Sequence, residues 1–240
     1  MKESTRQIAE RFQCKYTVFE KGTDPALLNQ AYRTAFHAGK KSGGFPAILL
    51  LEENVIDWLD YVSQENLNRD ALIADCGNNG KEILKERFEG YMEDFEIDDM
   101  DDFIGKETEG EIVNHFISYI SFRGNELAED TLLLELPVKN PWEIIAYLPM
   151  GGWNDCPAPE DMISICKYWY EKYQAVPAAF TSDVLEFYAP AGLNKEDSLE
   201  AAKEHYAFCT DRIDQGTRTC KVSELAAGLE ESNVWYFWWD

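Results

Sequence analysis

The sequence predicts an α/β fold, a mixed central sheet flanked by helices on both faces, and three observations carry that prediction. Apolar runs of strand length alternate with stretches of helical period along the chain. One run, Phe45-Pro46-Ala47-Ile48-Leu49-Leu50-Leu51, is apolar without a break, as a strand covered on both faces must be. Of the 240 residues, 45% are hydrophobic and 13% aromatic, enough for a substantial core. The pattern leaves strand direction open, hence a mixed sheet.

Residues 3–11 suit a short helix, and Cys14 to Glu20 alternates as a strand does. Leu27 to Lys41 places Leu28, Ala31, Tyr32, Ala35 and Phe36 at helical spacing, and Gly43-Gly44 stops that helix. After the apolar strand, Val55 to Val62 reads as helix, with Val55, Trp58, Leu59 and Val62 on one stripe. The polar turn Gly77-Asn78-Asn79-Gly80 introduces a helix from Lys81 to about Phe95. Ile112 to Phe122 fits helix or strand equally. Thr131–Val138 and Trp142–Pro149 read as neighbouring strands. Gly151 to Pro157 is a loop, followed by a helix over Pro159–Tyr173 whose Met162, Ile165, Cys166, Trp169 and Tyr173 face inward. Ala175 to Ala189 supplies one or two strands, and Asn194 caps a helix over Lys195–Cys209. Leu225–Leu229 belong to a last short helix and Val234–Trp239 to a closing strand. With no fixed-period repeat and no Pro/Gly/Ser-rich linker, the candidate boundary is the Glu107–Asp130 region. It separates an N-terminal α/β region, 1–130, acidic in its second half, from a second α/β region, 131–240. The two are expected to form one compact unit.

Forty-five acidic side chains against 22 basic ones give a formal charge of −23. That argues against nucleic acid, whose phosphates want Lys and Arg, and against an anionic membrane surface. The longest apolar run is far short of the ~20 residues a spanning helix needs. No apolar stretch follows Met1–Arg6 to make a signal peptide, so the expected location is the cytoplasm. The charge is uneven: residues 1–41 balance at +4, residues 52–135 at −18 and residues 136–240 at −9. A basic partner would be drawn to the middle segment.

None of the six cysteines forms a C-x-x-C pair, and the three histidines, His37, His115 and His205, are far apart. The expectation is reduced, mostly buried thiols, no metal site and no cofactor. Gly77–Lys81 is too short for a phosphate loop, and no G-x-S-x-G, H-E-x-x-H or G-x-G-x-x-G occurs.

The loop Gly151-Gly152-Trp153-Asn154-Asp155-Cys156-Pro157 holds the candidate chemistry. Proline belongs in a helix's first turn, so Pro157 and Pro159 put Cys156 near a helix N-terminus, where backbone N–H groups favour a thiolate. His205, Glu204 or Asp211 would then supply a base and an orienting group, making Cys156 and His205 the candidate catalytic residues. Asp155, Glu160 and Asp161 oppose this by pushing the thiol pKa up, and the plain alternative is a small buried hydrophobe. Trp153, Asn154 and Cys156 are the candidate ligand-binding set. Trp153 lines a pocket or plugs the core, and Asn154 makes an Asx turn or a cap. In Trp235-Tyr236-Phe237-Trp238-Trp239, alternation puts Trp235, Phe237 and Trp239 on one face and Tyr236 and Trp238 on the other. That suits a central strand of the sheet or, alternatively, a partner-binding strand.

The acidic cluster around Asp98, Asp99, Asp101 and Asp102 resembles a calcium loop but lacks the turn glycine and the bidentate Glu at the required offset. The plain reading is a solvated acidic face or loop; interleaved with Phe95, Ile97, Met100 and Phe103, these four aspartates are also candidate partner-binding residues for a basic, partly apolar surface.

From Leu136 onward the chain resembles the bacterial family called domain of unknown function 4253. The resemblance rests on Pro141-Trp142-Glu143, the Gly151–Pro157 loop, Tyr168–Tyr173 with Ala175-Val176-Pro177, Tyr206–Cys209 with Asp211, Asp214-Gln215-Gly216, and the ending Trp235–Asp240. It covers about residues 131–240 and implies no reaction, cofactor or catalytic residue. Two functions are open. The first is a non-enzymatic protein-binding module, of an immunity or accessory kind by analogy, meeting a basic protein partner. The second is a small-molecule sensor or enzyme using the Gly151–Pro157 loop and the helix over Lys195–Cys209.

Overall fold

The computed structural model describes residues 3–64 and 68–239; Asp240, the end of the aromatic tail, lies outside them. In chain order the elements are α1 (Glu3–Arg11), β1 (Lys15–Phe19), α2 (Pro25–Ser42), β2 (Phe45–Leu50), α3 (Glu53–Gln64), α4 (Arg69–Ala74), α5 (Gly80–Asp94) and α6 (Met100–Ile104). Then follow β3 (Thr131–Leu136), α7 (Ile144–Tyr147), α8 (Pro159–Tyr173), β4 (Val176–Phe180), β5 (Val184–Tyr188), α9 (Lys195–Phe208), α10 (Asp211–Asp214), α11 (Val222–Leu229) and β6 (Val234–Trp238).

The six strands form one mixed sheet in the order β1-β3-β2-β4-β5-β6, with helices around it. β3 pairs antiparallel with both β1 and β2, with Ile48 opposite Leu133, and β2 pairs parallel with β4, with Ile48 opposite Ala179. Every residue of β2, β4 and β5 is buried, the condition the unbroken apolar sequences of β2 and β4 require, and β5 buries Glu186 among its apolar residues.

The chain divides into two compact units, each assembled from three separated stretches. The first comprises Met1–Asp75, Phe116–Met150 and Pro177–Glu186. In it, Asp24 caps α2 through Ala26 N (2.9 Å), and Pro25 opens the helix. Buried Asp130 accepts hydrogen bonds from Thr5 Oγ1 and Lys21 N, both at 3.0 Å, fixing the entry to β3. The second comprises Cys76–His115, Gly151–Val176 and Phe187–Asp240. Gly80 lets α5 lie against α8: a Cβ there would fall 2.2 Å from Ser164 O.

Three expectations are corrected. Trp142–Pro149 is a 3₁₀ turn over Pro141–Glu143 running into α7, and no strand. Pro141 takes the first turn, and Glu143 folds back to accept from Lys139 N (2.9 Å) and Asn140 Nδ2 (2.8 Å). Ile144, Ile145 and Ala146 are then buried on successive positions, which a short apolar run cannot distinguish from a strand. Ile112–Phe122 is neither helix nor strand apart from an isolated bridge between Ile120 and Leu127. Finally, β6 stands at the end of the strand order and not at the centre. Its second aromatic face, Tyr236 and Trp238, is half-buried beside residues of α10 and the turn after it.

Candidate functional site

The second unit is organised around Trp169 of α8, which is fully buried. Its ring meets Phe208 at 4.9 Å, Phe187 at 5.3 Å and Trp235 at 5.5 Å edge-on, and stacks on Phe237 at 5.6 Å. Its Nε1 donates to Glu204 Oε2 (2.9 Å), while Tyr168 Oη donates to Glu204 Oε1 (2.7 Å). Burial raises the Glu204 pKa, against the lowering effect of these donors and Lys172. The next residue along α9, His205, is sealed among Trp235 (4.6 Å), Phe237 (4.7 Å) and Trp169 (5.4 Å). Among the described residues neither ring nitrogen has a hydrogen-bond partner, and burial drives its pKa well below the ordinary histidine value. It is a neutral ring packed in an aromatic cluster, where its N–H has only π faces to meet.

The Gly151–Pro157 loop is a tight reversal with Gly151, Gly152, Asn154 and Asp155 all at positive φ. Gly151 is required twice over, by φ 107° and because a Cβ would lie 1.9 Å from Pro157 O. Gly152 N donates to Cys156 O (3.1 Å) and Cys156 N to Trp153 O (2.8 Å), closing the turn. Cys156 sits just ahead of α8 but is only 4% exposed. Burial, with Cys209 nearby, pushes its thiol well above the ordinary range, against a weaker pull from Arg87. Among the described residues no hydrogen bond joins it to His205, Glu204 or Asp211. Trp153 is half-buried, edge-on to Trp239 at 6.5 Å, and Asn154 is exposed.

Arg87 of α5 was not singled out in the sequence. Its Nε donates to Ala207 O (2.8 Å), and one η nitrogen donates to Tyr91 Oη (2.8 Å) and to Asp155 O. It therefore clamps the Gly151–Pro157 loop to the end of α9. The available signal is that α5 carries one arginine beside its two lysines, and the planar five-donor guanidinium fork suits several fixed acceptors.

This arrangement keeps the Cys156 thiol protonated and shielded at neutral pH. Labelling with a maleimide followed by mass spectrometry is expected to modify exposed Cys220 first. Cys156, Cys166 and Cys209, all buried, should react at least about 100-fold more slowly, since labelling must wait for local opening. Equal rates at Cys156 and Cys220 would restore the nucleophile.

The acidic stretch is more accessible. Asp99 caps α6 by accepting from Asp102 N (3.0 Å), and Asp102 pairs with Lys221 Nζ (2.9 Å). Asp98 and Asp101 are exposed with Met100, and Phe95 is 54% exposed. Residues 104–112 then run as an extended strap along α11. Gly110 permits this, because a Cβ would fall 2.2 Å from both Glu224 O and Gly228 N. Gly228 answers it, since its own Cβ would lie 2.3 Å from Glu111 O. Ser223 Oγ donates to Lys106 O (2.8 Å). Glu224, at the start of α11, accepts from Arg218 Nε (2.9 Å), Thr219 N (2.8 Å) and Thr219 Oγ1 (2.6 Å). These bonds outweigh its burial and hold its pKa at about 2.

Between the strap, α9 and α11 lies a groove of about 590 Å³. Ile104, Ile112, Leu199, Ala226 and Ala227 give it apolar walls, and Glu107, Glu109, Glu230 and Glu231 give it an acidic rim. Lys195 is its one cation and is paired with Glu107. A second cavity, about 770 Å³, shares Ile104, Gly105, Glu107, Thr108 and Ser223 with it and is lined further by Asp101 and Asp102 and by Lys106 and Lys221. Among the described residues no cluster of three or more His, Cys, Asp or Glu is placed to hold a metal ion, and no helix is long and apolar enough to cross a membrane.

The aromatic cluster, the Gly151–Pro157 loop and α8 through β6 all come from the C-terminal part of the chain, and so does the family match. Residues 132–240 match the family described as Domain of unknown function (DUF4253). No curated protein and no solved structure matches the chain. The DUF4253 region supplies α9 and α11, two sides of the groove, whereas the strap and Arg87 precede it.

Proposed function

We propose that this protein is a non-enzymatic docking module, of an immunity or accessory kind, that works in the cytoplasm by binding a basic protein partner. The observation that supports the reading most is the groove: apolar walls under a rim of four glutamates with one paired lysine. An amphipathic helix with Lys or Arg beside its apolar stripe would satisfy both features, seating side chains on Ala226, Ala227 and Leu199 while its charges meet the rim. Asp98, Asp101, Phe95 and Met100, exposed nearby in sequence, extend the same chemistry. The small-molecule reading loses its anchor with Cys156 buried and its thiol raised.

The test uses two model peptides with one leucine pattern, one with lysines on its polar face and one with glutamates. Fluorescence anisotropy is expected to show binding of the lysine peptide alone, weakening as salt rises. Ala227→Trp, which fills the groove, should weaken binding at least about tenfold, the scale of a lost apolar anchor. Glu107→Lys with Glu230→Lys, both at exposed sites, should do the same and is independent of any packing defect. Undiminished binding by both variants would sink the groove as the docking site.

A further inference from the structure

We infer that Arg212 anchors a second site, which takes a compact monocarboxylate with a flat apolar body. Arg212 lies in α10, and its guanidinium carries five donors. Its Nε is sealed from solvent and, among the described residues, has no acceptor; its Nη1 donates to Gly216 O at a long 3.4 Å. Among the described residues no carboxylate forms an ion pair with it. A half-buried guanidinium whose Nε is sealed and unpaired is costly to keep, and an apolar side chain would pack there without that cost.

Two small cavities, of about 200 and 220 Å³, share Arg212, Gln215 and Gly216 as lining residues. Tyr236 and Trp238 of β6 wall the second of these, on the strand face turned away from buried Trp235, Phe237 and Trp239. That cavity has room for a single substituted ring. Its aromatic walls favour a flat one.

The guanidinium fork matches a carboxylate in bidentate geometry. One negative charge suits the site better than two, because Asp211 lines the same cavity and Glu111 and Glu224 line its neighbour. Gln215 Nε2, which donates to Asp211 Oδ1 (2.7 Å), is a further donor on the wall. Every residue lining the second cavity falls within the DUF4253 match, and none of them lines the acidic groove, so this site stands apart from the docking reading.

Benzoate is the probe, followed through the Trp238 indole and Gln215 side-chain amide signals in ¹H–¹⁵N spectra. A saturable shift of both is expected, with benzamide and inorganic phosphate giving none. Arg212→Gln should weaken benzoate at least about tenfold, the scale of a lost charged hydrogen bond. Should Arg212→Gln fail to fold, the discrimination of benzoate from benzamide by the wild type decides alone. Equal response to the two ligands, absence of saturation, unchanged affinity in a folded Arg212→Gln, or tighter binding of phosphate would each overturn the assignment.

Discussion

Trp169→Ala is expected to lower stability by about 5 kcal/mol, the largest loss from any single side chain in the second unit. Truncating a buried Trp costs about 3–5 kcal/mol in transfer and cavity terms. The site is poorly placed to collapse, because Phe187 of β5, His205 and Phe208 of α9, and Trp235 and Phe237 of β6 all pack on that one indole. The indole N–H is also one of the donors that hold buried Glu204, and losing it adds about 1 kcal/mol. For a chain of this length the total corresponds to a fall in Tm of about 10–20 °C. Trp169→Phe keeps most of the volume but forfeits the donor, and should cost about 2 kcal/mol. Urea unfolding followed by near-UV circular dichroism measures both. A loss below about 2 kcal/mol for the alanine variant would show that the cluster relaxes and that Trp169 is not its keystone.

What the sequence made legible tracks how local each determinant is. The helix read from about Pro159 to Tyr173 coincides with α8, because Pro159 opens it and its inward stripe has helical spacing. The apolar run Phe45–Leu51 reads as a strand buried on both faces, and β2 takes its first six residues. Trp142–Pro149 failed because its decisive interaction, Glu143 turning back to Lys139 N, is invisible to periodicity. Cys156 was placed correctly ahead of α8, but its burial depends on tertiary packing that no helix-start signal encodes. The acidic rim of the groove was readable as charge. Its apolar floor needed Gly110 and Gly228 to bring the strap onto α11, a contact between residues more than a hundred positions apart. Arg212 gave no signal at all, since the lack of a partner is a property of the folded state.

Glu186→Ala is expected to cost about 3–4 kcal/mol and to change how stability depends on pH. Glu186, on β5, is fully buried in the first unit, where it accepts from Ile117 N (3.0 Å), Ser118 N (3.1 Å) and Ser118 Oγ (2.5 Å). Those bonds explain how residues 116–118 stay ordered without helix or ladder, and alanine would strand two backbone donors at about 1–3 kcal/mol each. Burial raises the Glu186 pKa to about 7 from an ordinary 4.5, even though its three donors pull the other way. The folded state therefore binds more protons than the unfolded one between those values. Glu186 adds stability fully below about 4.5 and loses it as pH rises to about 7. His205, its pKa depressed by burial, has the opposite sign: its contribution is present above 6.5 and is lost as pH falls below that value. Over the range from about 4.5 to 6.5 the two slopes, each at most about 1.4 kcal/mol per pH unit, oppose one another. Glu186→Gln removes one and should make stability fall more steeply on acidification than in the wild type. His205→Phe keeps a ring that needs no hydrogen bond and should make stability rise over the same interval. Urea titrations at several pH values between about 5 and 8 test both variants. Three parallel profiles would mean that neither group exchanges its proton on unfolding, and the coupling drawn from their burial would fail.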